Sequence, residues 1–340
     1  MASDTMKLER AEELLRGFSS KRILVIGDLM LDEFVWGRVS RISPEAPVPV
    51  VEVIRESYYP GGAANVARNV REFTPSVFVM GLIGEDSHAE KLRKLLDENG
   101  IGLEGLLNDP SFQTIVKTRI IARHQQVVRV DRERPQSLSD EAQAQCVEKV
   151  RELLPQLDAV IFEDYGKGLL QQNFVDNVTA LARRAGKLVT ADPNLHNRLI
   201  WRGITAVKPN RSEAFAAANQ PWHEPESDPL RDNQLLIVGA ELLRIWKPEF
   251  LLVTLGEQGM ILFDQGNPPS HVPARAREVY DLSGAGDTAI GLFTLALASG
   301  ASAIEAAEIS NHASSVVVGK LGTATLTPEE LLESFDQRNE

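Results

Sequence analysis

Eight residues, Asp281-Leu-Ser-Gly-Ala-Gly-Asp-Thr288, carry the densest chemical pattern in the chain. Gly284 and Gly286 flank Ala285, so the backbone can turn tightly there without Cβ clashes. An apolar run over 289–298 follows and reads as a buried helix. The amides of residues 284 to 287 then lie at a helix N-terminus, where free N–H groups and the positive end of the dipole attract an anion. Asp287 has two possible jobs in that place. It caps the helix, or it stands beside a bound phosphoryl group and takes a proton from an attacking hydroxyl. A cap alone does not require two preceding glycines, but short motifs recur by chance, and this stretch leaves both readings open.

Other stretches combine glycines with polar side chains. In Pro60-Gly-Gly-Ala-Ala-Asn-Val-Ala67, Gly61 and Gly62 let a ligand approach the backbone where a helix starts. Asn65, one turn in, offers donors and acceptors that suit a polyol, although a plain glycine turn before a helix looks the same. Lys208-Pro-Asn-Arg-Ser-Glu213 ends a strand and opens a helix, with Asn210 and Glu213 spaced as a capping box; capping does not exclude function. Thr254-Leu-Gly-Glu-Gln-Gly259 closes another strand with glycines that could lie near a nucleotide phosphate. Asp28 and Asp32 straddle the end of the first strand and could accept hydrogen bonds from sugar hydroxyls, or Asp32 could cap a turn. There is no Walker-type lysine motif, no protein-kinase motif set and no Gly-x-Gly-x-x-Gly after the first strand. His88, His124, His196, His271 and His312 lack metal-ligand spacing.

The elements that must position these residues alternate. Residues 6–17 read as an amphipathic helix, and 22–28 as a short apolar strand ending in Gly-Asp. Further strands are expected over 76–82, 159–163, 187–191, 206–208 and 250–255. Helical patterns lie between them at 63–73, 87–98, 140–154, 173–185, 212–219 and 232–244. The alternation implies an α/β fold with a mostly parallel sheet covered on both faces. Ligands bind such sheets beyond the carboxyl ends of the strands, where Asp28, Asp164, Asp192, Asn210 and Gly256 gather. Two segments, 34–59 and 112–131, break the pattern with closely spaced prolines (Pro44, Pro47, Pro49) and with β-branched and basic residues. They are expected to form a small β-sheet lid over the strand ends; two ordinary surface hairpins are the alternative.

Composition bounds the function. The chain has 340 residues, 43% apolar and 25% charged, enough for a sizeable core in one domain or two; no linker divides it, and a single domain over 1–340 is expected. A net charge of −12 argues against bulk binding to nucleic acid or an anionic membrane, so an anionic substrate needs a local basic patch. The single cysteine, Cys146, cannot form an internal disulfide, which fits a reducing compartment. Residues 1–18 are charged throughout without a signal-peptide core, and no apolar run spans a bilayer. A cytoplasmic location is expected.

Taken in this order, the motifs resemble the ribokinase-like (PfkB) carbohydrate kinase family over residues 22–326. Gly61-Gly-Ala-Ala-Asn65 looks like that family's N-terminal signature, and 281–288 like its C-terminal one. Ser40-Arg-Ile-Ser-Pro-Glu-Ala-Pro-Val-Pro-Val-Val51, Gln125-Gln-Val-Val-Arg-Val-Asp131 and Val318-Gly-Lys-Leu-Gly-Thr323 resemble the kinase half of the bacterial heptose enzymes. The resemblance implies a ribokinase-like three-layer fold. It also implies ATP-dependent phosphorylation of D-glycero-β-D-manno-heptose 7-phosphate at O1, on the route to ADP-heptose and the lipopolysaccharide core. Adenylylation would then fall to another protein, since no nucleotidyltransferase pattern follows. The implied base is Asp287, with the amides of Gly284, Ala285 and Gly286 as the anion hole. Asn210, Arg211, Ser212 and Glu213 would face the nucleotide phosphates and Mg²⁺, partly through water. Thr254, Gly256 and Gly259 would line the ATP site, with Asn311 near the adenine. Asp32, Gly61, Gly62 and Asn65 would hold the sugar. Asp281 and Ser283 match positions that bind a monovalent cation, K⁺, in some relatives. One departure is Gly166 in Tyr165-Gly-Lys-Gly168, where the heptose kinases carry Ala.

The lid candidates raise two further expectations. Lys117, Arg119, Arg123 and Arg129 are the cations available there to read a phosphate already on the sugar, and the first three share one parity, hence one face of an unbroken strand; a turn at His124-Gln-Gln126 would weaken this near Arg123. A solvated edge strand would show the same charges. The exposed strand edges and Val50, Val51 and Val53 call for a homodimer through the lid. Another sugar or sugar-phosphate kinase of the family, such as a fructose phosphate kinase or ribokinase, and a catalytically inactive binding module are the competing readings.

Overall fold

The computed structural model describes residues 6–123, 125–275, 279–320 and 322–336. His124, Leu321 and the first five residues, all used in the readings above, lie outside the described residues. In chain order the elements are α1 (Leu8–Phe18), β1 (Arg22–Gly27), β2 (Leu29–Ile42), β3 (Pro49–Gly62), α2 (Ala63–Arg71), β4 (Ser76–Ile83), α3 (Ser87–Glu98), β5 (Gly102–Asn108), β6 (Ile115–Ala122), β7 (Gln125–Arg132), α4 (Asp140–Leu153), β8 (Ala159–Glu163), α5 (Gln172–Arg184), β9 (Leu188–Asp192), β10 (Ala206–Val207), α6 (Arg211–Ala217), α7 (Asn233–Trp246), β11 (Phe250–Thr254), β12 (Met260–Asp264), β13 (Ser270–Val272), α8 (Ala285–Ala298), α9 (Ala303–Val318) and α10 (Pro328–Asp336).

Nine strands form the main sheet in the order β13-β12-β11-β10-β9-β8-β1-β4-β5. Pairing is parallel from β5 through β11, and only β12 and β13 run antiparallel at one edge. The central strands are mostly apolar because helices cover both faces, with acids only where β8 and β9 end, at Glu163 and Asp192. β1 shows how: Ile23 and Val25 enter a core shared with α1, α2, α8 and α9, while Leu24 and Ile26 enter a core shared with α4, α5 and α7. Alternate residues of a strand point to opposite faces, so one apolar run serves two cores. The architecture is the three-layer ribokinase-like fold expected above.

The two segments that broke the alternation pair with each other. They build a second sheet in the order β3-β2-β6-β7, with β2–β3 and β6–β7 antiparallel and β2–β6 parallel. β2 starts at Leu29, two residues past the end of β1, so this sheet rises from the strand end that carries Asp28. Pro44 and Pro47 fall in the connecting loop and Pro49 opens β3, positions that need no ladder N–H. β7 is exposed along all eight residues. One expectation fails here. Arg123 is not on β6, which ends at Ala122; it turns with φ +59° and its amide donates to the Gly37 carbonyl. Strand parity stops before Arg123 and does not align it with Lys117 and Arg119.

Candidate active site

The glycine turn and the buried helix meet as expected. Gly284 adopts φ +82°, a left-handed conformation that disfavours any side chain, and α8 begins at the next residue. Asp287, in the first turn, is only 7% exposed. Its carboxylate is not used as a cap. Oδ2 accepts from Asn65 Nδ2 at 2.6 Å and Oδ1 accepts from the Tyr165 hydroxyl at 2.8 Å. The next residue, Thr288, donates to Asn69 Oδ1 at 2.9 Å, so the first turn of α8 is fastened along α2. Burial raises the Asp287 pKa, while its bonds to Asn65 and Tyr165 favour the ionised form.

Around Asp287 lies one cation among several carboxylates. Lys208, 2% exposed, pairs with Asp192 at 2.7 Å. A Cβ placed on Gly286 would stand 3.6 Å from Lys208 Nζ, so the missing side chain leaves a passage from the turn amides to the ammonium. Burial opposes the Lys208 charge, but Asp192, Glu213 and Glu163 outweigh it and hold its pKa above the ordinary value. Burial pushes Asp192 up to about 7. Glu163 is held well above the usual carboxylate range by burial and then by Asp192 and Asp287, and its Oε2 has no hydrogen-bond partner among the described residues. Four acids around one lysine leave the site short of positive charge. Among the described residues no three His, Cys, Asp or Glu side chains form a ready metal cage.

The residues expected to hold the sugar lie where the chain leaves the main sheet and enters β2. Asp32, 4% exposed, pairs with Tyr59 in the β2–β3 ladder, and its side chain reaches diagonally to Gly61, where a Cβ would overlap its Oδ2. Gly62 takes φ +59° immediately before α2. Arg119 grips the Asp32 carboxylate. Lys117 contacts Asp131 at 3.2 Å and Glu133 at 3.1 Å, and Arg129 contacts Asp131 at 2.9 Å. Each of these three lid cations therefore has an acidic partner. Asp28 is engaged within the protein: its carboxylate accepts the amides of Tyr165, Lys167 and Leu169 at 3.1, 2.9 and 3.4 Å and shapes the loop after β8.

Most nucleotide candidates lie at the ends of β10 and β11, where α6 begins and the chain turns toward β12, and Asn311 lies on α9. Asn210 and Glu213 form the expected capping box: Asn210 Oδ1 accepts the Glu213 amide at 2.9 Å, and Glu213 Oε2 accepts the Asn210 amide at 2.7 Å. Thr254 pairs with Asn210 in an isolated parallel bridge. Gly256 and Gly259 both have positive φ, and a Cβ on Gly259 would overlap the Val272 carbonyl. Ser212 is exposed, while Asn311 is buried and donates to the Pro273 carbonyl at 2.8 Å. Arg211 corrects an expectation. Its guanidinium turns back into the protein, 2.7 Å from Asp232 and over the rings of Phe215 and Trp222, so it does not face a nucleotide phosphate. Asp281 accepts the amides of Ser283 at 2.9 Å and Gly322 at 3.1 Å, which closes the loop before α8. Sequence reasoning singled out neither Tyr165, Glu163 nor Lys208 for the site; the available signal was that each lies at or just past the carboxyl end of a strand.

Comparison with known proteins agrees with this geometry. Residues 20–330 match the pfkB family carbohydrate kinase model. The chain is 42% identical over 314 residues to the bifunctional protein HldE of Desulfatibacillum aliphaticivorans, covering 92% of this chain and 63% of that protein. It is 42% identical over 320 residues to the protein of the same name from Magnetococcus marinus, covering 92% and 64%. The chain thus spans a little under two thirds of the length of these two relatives. Among solved structures, Arabidopsis thaliana ribokinase complexed with ribose and ATP superposes with a TM-score of 0.71 at 20% identity, covering 94% of this chain and 100% of that one. Phosphofructokinase-2 from Escherichia coli in complex with potassium gives 0.74 at 19% identity, covering 93% and 98%. At such identities these neighbours speak to the fold alone. The chain belongs to the pfkB family of carbohydrate kinases, enzymes that move a phosphoryl group from ATP to a sugar hydroxyl.

Proposed function

We propose that this chain phosphorylates D-glycero-β-D-manno-heptose 7-phosphate at O1, giving the 1,7-bisphosphate for ADP-heptose and lipopolysaccharide core synthesis. The observation that carries the chemistry is Asp287, buried and held on both oxygens by Asn65 and Tyr165 at the glycine-lined start of α8. The choice of sugar is supported by the three stretches that resemble heptose kinases and by the relatives of 42% identity.

ATP supplies the phosphoryl group and leaves as ADP. Asp287 takes the O1 proton as the oxygen attacks. The amides of Gly284, Ala285 and Gly286, with Lys208 behind Gly286, stabilise the negative charge on the moving group. Asp32, Gly61, Gly62 and Asn65 orient the sugar so that O1 meets Asp287. Asn210, Ser212, Thr254, Gly256, Gly259 and Asn311 line the nucleotide side. The acid excess around Lys208 fits Mg²⁺, which Glu213 would hold through water and which would neutralise charge on the nucleotide phosphates. A monovalent cation at Asp281 and Ser283 would show as potassium-stimulated turnover.

No helix among the described residues is long and apolar enough to cross a membrane, and we place the enzyme in the cytoplasm. We also infer a homodimer through the lid, because β3 and β7 leave edges that carry exposed Val53, Ile54 and Val128. Coupled ADP release across a sugar panel tests the assignment. Turnover highest on the heptose phosphate supports it. Preference for fructose 6-phosphate or ribose moves the chain to another branch of the family, and no turnover on any sugar favours a binding module.

A further inference from the structure

The lid and the loop after β8 meet on one acid. Lys167 donates to Glu133 Oε1 at 2.8 Å, and Lys117 donates to Glu133 Oε2 at 3.1 Å. The lysines are 17% and 13% exposed and the glutamate 25%, so this is a sheltered cluster and not a surface ion pair. Two ammonium groups from separate elements converge on the two oxygens of one carboxylate. A phosphate presents paired oxygens with a similar bite and a larger charge, so cations spaced for the one suit the other.

The position of the cluster matches a substrate. Lys117 is the register partner of Asp32, and register partners in a ladder project to the same face of the sheet. Lys167 is two residues from Tyr165, the donor to Asp287. Two residues of chain reach at most about 7 Å, so one short loop carries both the support of the base and one arm of the cation pair. Gly166 and Gly168 on either side of Lys167 have φ of +67° and +110°, and Asp28 binds the alternate amides, which fixes the loop's course. Tyr165 reaches toward α8 while Lys167 reaches toward the lid. That divergence suits a sugar with its reacting hydroxyl at one end and an existing phosphate at the other.

We propose that Lys117 and Lys167 form the subsite for the phosphate already on the sugar, and that Glu133 occupies it as a built-in anion until the substrate displaces it. The inference rests on the sugar-phosphate kinase reading and adds Lys167 and Glu133 to it. The test titrates inorganic phosphate calorimetrically into the full chain with ADP saturating. Glu133→Gln removes the carboxylate shared by the two lysines, leaving Asp131 on Lys117, and should tighten phosphate binding roughly tenfold, whereas Lys167→Gln should weaken it by a similar factor and Lys167→Arg should retain it. Phosphate binding by Glu133→Gln no tighter than by the unaltered chain overturns the proposal, as does unchanged binding by Lys167→Gln. If Lys167→Gln does not fold, the Glu133→Gln comparison decides alone. ADP release separates this idea from the reading beneath it. Turnover on the heptose phosphate with an unchanged KM in Lys167→Gln removes the subsite and leaves the kinase. The expected phosphate-binding pattern without turnover on any sugar phosphate keeps the subsite and removes that substrate class.

Discussion

The Tyr165 hydroxyl donates to Asp287 Oδ1 at 2.8 Å, across 122 residues of sequence. Asn65 holds the other oxygen at 2.6 Å. The Asp287 carboxylate, the base proposed above, is thereby oriented by two elements outside its own helix. Both bonds favour the ionised carboxylate against the burial that raises its pKa. Tyr165→Phe removes one of them, so the acid limb of the kcat–pH profile should move to higher pH. A bond to a charged group contributes about 1.5–3 kcal/mol, so kcat should fall roughly tenfold or more with little change in the KM for ATP. An acid limb that stays in place would show that Tyr165 does not tune the base.

Asp287→Asn separates chemistry from stability. The amide can still accept from Asn65 and donate to Tyr165, so the fold should survive while kcat drops by about 10²–10⁴. Folding favours the protonated form of this carboxyl, because its folded pKa is raised. The stability it contributes is present below its ordinary pKa and is lost as pH rises through the raised value. The variant should therefore melt at or above the parent temperature at pH 8, with the difference shrinking toward pH 4. Paired thermal melts at the two pH values check the sign, and near-parent turnover would remove Asp287 from the role of base.

Lys208 is the cation that lets Asp192, Glu163, Glu213 and Asp287 stand together. Lys208→Met leaves Asp192 buried without its partner, a loss of about 3–5 kcal/mol. Adding Asp192→Asn should restore most of that stability, since the uncompensated carboxylate is then gone. Activity should stay low in the double variant, because the ammonium behind Gly286 is still missing. Denaturant unfolding and turnover measured on the same three proteins test this; recovery of activity along with stability would limit Lys208 to a structural part.

The lid edges bear on assembly. Ile54 on β3 is 69% exposed and Val53 beside it 56%. Burial of these residues in a dimer predicts that Ile54→Lys gives monomers by light scattering at micromolar concentration, where the parent runs at twice the mass. The same variant should keep its far-ultraviolet circular dichroism. A parent that is monomeric throughout would count against the dimer.

Local spacing made part of this protein legible. Gly284 and Gly286 ahead of a buried helix, and Asn210 three residues before Glu213, are patterns whose meaning depends on helix geometry alone, and both appear as read. The period of the apolar runs likewise marked β1, β4, β8 and β11, because a strand buried on both faces must be apolar throughout. α9 escaped such a reading: its buried face includes Glu308, Ser310, Asn311 and His312, which hide the apolar period. β12 and β13 are short antiparallel additions whose meaning comes from the strand they join. Arg123 and Arg211 changed roles for the same kind of reason, one taken by a turn and the other by the distant Asp232. Sequence by itself determined most of the elements and the glycine turn that places Asp287 at the start of a buried helix. Tertiary structure alone decided that Tyr165 and Asn65 hold Asp287 and that Lys208 stands behind Gly286. These groups come from the ends of different strands and helices, and only the order of strands in the sheet brings those ends together.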